Sequence, residues 1–166
     1  MQKNKQISRL VFWLSRIEDI IVATLLSSIL LLAIAQIVLR NFFDSGIVWS
    51  ETLLRILVLW IGLAGANLAS RQGKQINIDV LSKYVPDRYK IYLITINYSF
   101  ALIVCLLISY YSLQFVILEY HSQSMAFESV PAWLAESIIP ISFMIMAIRY
   151  IAKIIVNIKL SHYPNQ

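Results

Sequence analysis

Charge is what this sequence has least of. Only 14% of its 166 residues are Asp, Glu, Lys or Arg, whereas 59% are hydrophobic and the mean hydropathy is +0.71. A soluble domain carries about 25% charged residues, so too few charges are present to solvate a globule. The composition specifies an integral membrane protein. Cysteine is nearly absent: Cys105 stands alone, which excludes an intramolecular disulfide and a thiol-pair metal site. In its apolar surroundings it reads as a small packing residue. The two histidines, His121 and His162, fall in a loop and near the C-terminus. No histidine pair can therefore ligate haem inside a bundle, and neither histidine has a zinc-site spacing. Four glycines and four prolines leave little room for long loops, and no phosphate-binding glycine loop occurs. The basic residues flank apolar runs instead of forming one stripe interleaved with aromatics, which disfavours nucleic acid as a partner.

What the chain does have is four apolar runs, each near the ~20 residues that span a bilayer as a helix. They cover residues 20–39, 49–70, 91–118 and 133–155. The third is long enough to cross with tilt, and Pro140 interrupts the fourth. With short connections they fill the chain, predicting an all-α integral membrane protein: one membrane domain, a four-helix bundle, over residues 1–166. Ala33-Ile34-Ala35 resembles a signal-peptide cleavage site. The apolar run continues past it, however, and Glu18 and Asp19 immediately precede that run, so the segment is expected to remain.

Lysine and arginine placement sets the direction. One side collects Lys3, Lys5, Arg9 and Arg16, then Arg71, Lys74, Lys83, Arg88 and Lys90, then Arg149, Lys153 and Lys159. Only Arg40 and Arg55 remain for the other side, and the loop from Glu119 to Glu136 has no Lys or Arg at all. Both termini are expected in the cytoplasm. Two short amphipathic segments, 7–16 and 76–88, are expected at the interface. In the first, Ile7, Leu10, Val11 and Leu14 repeat at helical spacing opposite Arg9 and Arg16. In the second, Asp79 is a plausible N-cap, but the alternation of Ile76, Ile78 and Val80 leaves helix and extended chain open. Trp13, Trp49, Tyr84, Tyr89 and Trp133 sit where aromatic rings anchor a helix at the headgroups.

The second run carries the most unusual pattern. Glu51 and Arg55 lie one turn apart at its head, and at 100° per residue Val58, Gly62, Gly65, Ala66 and Ala69 fall within about 60° of Glu51. A charged pair thus continues into a stripe of small residues, the pattern that lets a second backbone approach closely. Trp60, Leu53 and Leu63 fall elsewhere, toward lipid or a wider partner surface, and Asn67 shares the Trp60 side. Two readings of the charges stand. One is an ion pair, extended to Arg40, that clamps the first two helices. The other is a proton or substrate relay, which needs a second titratable group deeper in the membrane; none lies between Ile56 and Ser70.

Arg40-Asn41-Phe42-Phe43, Trp49-Ser50-Glu51, Arg55, Trp60, Gly65-Ala66, Arg71 and Ile76-x-Ile78-Asp79-x-Leu81 together resemble the small permease (Q) subunit of tripartite ATP-independent periplasmic (TRAP) transporters. Pro131-x-Trp133 and Pro140 followed by Arg149 extend the likeness over nearly the whole chain. Gln75 departs from it, standing where a histidine is expected in many members. The resemblance implies a non-enzymatic subunit of the bacterial inner membrane without a cofactor of its own. Its partners would be a large elevator-type subunit, driven by a sodium gradient, and a periplasmic binding protein that delivers an organic anion. It implies a bracing and docking role, with substrate and sodium sites on the large subunit. Binding-protein contacts are expected around 43–48 and 119–133, and lipid covers the remaining surface. The competing class is a self-sufficient four-helix membrane protein, a small exporter or a redox-complex anchor. The missing bundle histidines, deep charges and acidic cluster all speak against it.

Overall fold

The computed structural model describes residues 2–43, 46–47, 49–72, 87–127 and 130–162. Neither glycine nor proline interrupts Gln2–Phe43, and these residues form one helix, α1. The segment 7–16, expected as a separate interfacial helix, is continuous with the first span. Glu18 and Asp19 do not break the helix, because basic residues from two other helices meet them. Helix α2 (Ser50–Gln72) begins where Ser50, fully buried, turns the chain: its Oγ donates to Ile47 O at 2.7 Å. Ile47 N in turn donates to Gln36 Oε1 at 3.3 Å, so a polar side chain within the first span seats the approach to α2. The link 76–86, including Asp79 and Tyr84, lies outside the described residues.

Helix α3 (Asp87–Ser122) is 36 residues long. At 1.5 Å per residue it measures about 54 Å, well beyond the ~30 Å hydrocarbon core of a bilayer. It ends at Gln123, whose φ of 52° lies in the left-handed region that a non-glycine residue adopts only at modest cost. Strands β1 (Met125–Phe127) and β2 (Val130–Pro131) then pair antiparallel, a small hairpin that the loop sequence did not announce. Helix α4 (Ala132–Glu136) and helix α5 (Ile138–His162) complete the chain. The break between them falls at Ser137, three residues before the proline held responsible. Pro140 has no N–H to donate to Glu136 O, so the helical ladder stops there. Ser137 N donates to Trp133 O at 3.0 Å and closes α4.

Among the described residues, four helical stretches are long and apolar enough to cross a membrane: Ser15–Phe43, Ser50–Arg71, Tyr92–Ser122 and Ala132–Ile158. They lie within a few residues of the four expected runs at most ends. The core sits between α3 and α5, where Cys105, Met146, Ala147 and Tyr150 are buried against Tyr98, Ala101, Leu102 and Phe143. Cys105 is a packing residue, as expected. Helix α1 packs on α2 but leaves Leu31 (68% exposed) and Ile37 (66%) uncovered. Apolar side chains on this scale stay outside a fold only where lipid or another protein covers them.

Candidate subunit interface and its charge clamp

Helix α2 has two faces of opposite use. Trp60, Asn67 and Ser70 face inward. Trp60 Nε1 donates to Ala135 O at 2.8 Å, and Asn67 and Ser70 are buried. The expectation that Trp60 points to lipid or a partner is thereby corrected: a half-buried indole N–H away from water needs an acceptor, and the carbonyl near the end of α4 supplies one. Trp60→Phe keeps the ring and removes one hydrogen bond. It should lower the unfolding free energy by about 1 kcal/mol, read as a reduced melting temperature of the purified chain.

The opposite face is open. Glu51, Val58, Gly62, Ala66 and Ala69 are exposed and Gly65 is half-buried, while Arg55, also exposed, stands at the edge of this face toward α4. A Cβ added at Gly62 or Gly65 would meet nothing within 4 Å. Among the described residues, the chain's own helices thus leave the stripe open at both glycines. Among the described residues, Glu51, Arg55 and Arg40 form no ion pair with one another or with any other group. Within this chain they are not the clamp between the first two helices.

A clamp does exist, at the other end of the bundle. Glu18 on α1 receives both Arg71 from α2, at 3.4 Å, and Arg149 from α5. Arg71 also reaches Asp19 Oδ1 at 2.6 Å and Ser15 O at 2.8 Å. Arg149 donates further to Asn67 O and, at 3.3 Å, to Ser70 Oγ. Lys153 Nζ donates to Ser70 O and lies 5.5 Å and 5.8 Å from the ring centroids of Tyr98 and Tyr150. One carboxylate thus joins three helices, and Lys153 ties in the fourth through an aromatic face.

The sequence uses Arg71, Arg149 and Lys153 for topology, Arg71 and Arg149 for the resemblance, and Glu18 and Asp19 only to mark the start of an apolar run; it does not pair them. The signal was nonetheless present. An acid pair at the head of the first span lies on the same membrane side as the basic ends of the second and fourth, within reach of both.

The aromatic residues expected at the headgroups are placed as follows. Trp13 is exposed, Trp49 and Trp133 are half-buried, and Tyr89 falls in the first turn of α3. Trp133 meets Tyr120 edge-on with centroids 5.6 Å apart. Among the described residues no group of three or more His, Cys, Asp or Glu could hold a metal ion.

Residues 29–160 match the family described as tripartite ATP-independent periplasmic transporters, DctQ component. This chain belongs to that family. Its relatives are transporter permeases. The sialic acid TRAP transporter small permease protein SiaQ of Vibrio cholerae is 27% identical over 89% of this chain and 84% of its own length. The C4-dicarboxylate TRAP transporter small permease protein DctQ of the same organism is 27% identical over 47% of this chain and 37% of its own length. The sialic acid TRAP transporter permease protein SiaT of Haemophilus influenzae is 31% identical over 47% of this chain. The matched segment is only 13% of SiaT, which is a far larger protein. With four spanning helices, this TRAP small permease is a multi-pass protein of the inner membrane. Trp60, Arg71 and Arg149, among the residues that carried the resemblance, are those that fasten its helices together.

Proposed function

We propose that this small permease is the scaffold of a binding-protein-dependent importer of organic anions. It braces a large elevator-type subunit that is driven by a sodium gradient, and it helps dock the periplasmic binding protein. The open small-residue face of α2 carries this reading. An apolar helix face with room at Gly62 and Gly65 suits close packing by a helix of another chain. SiaT supports the partner's nature, because there a segment similar to this chain is part of a much larger permease. The absence of a titratable side chain from Ile56 to Ser70 disfavours an ion pathway through α2 itself. Sialic acid or a C4-dicarboxylate, the substrates in the relatives' names, are the first anions to try. In this reading both termini are cytoplasmic, the Glu18 clamp lies at the cytoplasmic boundary, and the hairpin end faces the binding protein. Glu51, Arg55 and Arg40 then lie at the outer boundary, with Glu51 and Arg40 free to meet the large subunit.

Reconstitution tests the assignment. The chain alone in liposomes should take up neither anion. Adding the large subunit and the binding protein should give uptake that stops when the sodium gradient is collapsed. Uptake by the chain alone would overturn the scaffold assignment, and uptake indifferent to sodium would overturn the driving force.

A further inference from the structure

At the hairpin end a pocket of about 300 Å³ separates α2 from α4, with Thr52, Arg55, Ala126, Ala132 and Glu136 among its lining residues. Its two charges are opposite, yet unpaired among the described residues. Glu136 Oε2 is buried and has no hydrogen-bond donor among the described residues. The Arg55 side chain, on the opposite wall, is exposed. The walls are fixed at the same level, because Trp60 on α2 is bonded to Ala135, the residue before Glu136. A carboxylate oxygen shut away from water without a donor is unfavourable, and the more so near hydrocarbon. Thr52 offers a single hydroxyl, whereas Arg55 is the one cation among the described lining residues and presents a planar fork of donors.

We infer that Arg55 is the counter-ion of Glu136: its guanidinium swings across the pocket, pairs with Glu136 and fastens the β1–β2 hairpin and α4 onto α2. Ala126, in β1, forms part of the pocket wall and reports closure.

The test is the labelling rate of Ala126→Cys by a water-soluble maleimide, measured on the purified full chain in mild detergent. The parent without that cysteine corrects for the buried Cys105. Arg55→Gln and Glu136→Gln should each speed labelling at least about fivefold, and together no more than either alone, as expected for groups acting as one unit. The swap Arg55→Glu with Glu136→Arg should return the rate to within about twofold of the parent. Arg55→Lys, which keeps the charge and leaves the fold least disturbed, should stay close to the parent. Multiplying effects in the double variant would overturn the pairing, as would a swap as fast as the singles. So would sensitivity at Glu136 alone, because its donor would then come from elsewhere.

Discussion

Gly62→Leu and Gly65→Leu should each reduce recovery of this chain with the large permease by at least about tenfold, equivalent to about 1.4 kcal/mol of association free energy. The isolated chain should be unharmed. A Cβ at either position meets nothing within 4 Å, and replacing a helical glycine favours the helix by up to about 1 kcal/mol. Loss of assembly with retained folding therefore isolates the open face as the contact. The physical cause is bulk: a leucine holds apart two backbones that glycine would let touch. Leu53→Ala, on a half-buried side of the same helix, should leave recovery nearly unchanged. Tagged copurification from membranes gives the yield, and a thermal melt of the chain alone gives the control. Undiminished recovery of both glycine variants would remove α2 from the interface.

Glu18→Ala should destabilise the chain by about 3 kcal/mol, the low end of the cost of stripping one partner from a buried ion pair. The low end applies because the paired side chains retain 20–25% of their exposure. The loss is still large, because one deletion leaves both Arg71 and Arg149 short of their acid. Asp19, 54% exposed, can compensate Arg71 only. Glu51→Gln should change stability by less than about 0.5 kcal/mol, as an exposed group outside any ion pair does. Unfolding in a denaturing detergent titration would rank the two. A larger effect at Glu51 than at Glu18 would contradict the clamp.

That ranking reverses what the sequence suggests when its charges are read locally. Glu51 and Arg55 attract notice because they share a turn, and short spacing is what a sequence displays. The Glu18 clamp spans separations of 53 and 131 residues and becomes visible only when helices from three parts of the chain meet. The spans themselves were legible, since lipid imposes length and apolarity on every crossing helix. The stripe on α2 was legible too, as a helical period. The continuity of α1 was not, because acids beside an apolar run look like a boundary until their counter-charges are placed. The hairpin was equally hidden: five strand residues with no alternation long enough to register. Trp60 was misassigned for a related reason, since hydropathy treats an indole as apolar and says nothing of its N–H.

The clamp also has an order in time. Glu18 leaves the ribosome early, while its two arginines follow 53 and 131 residues later. A chain cut after Ser122 would carry the acid and Arg71 but never Arg149, and its helices would be fastened on one side only. Of the helices that meet at Glu18, α5 is thus the last to be made, and until it arrives the fastening of α1 is incomplete.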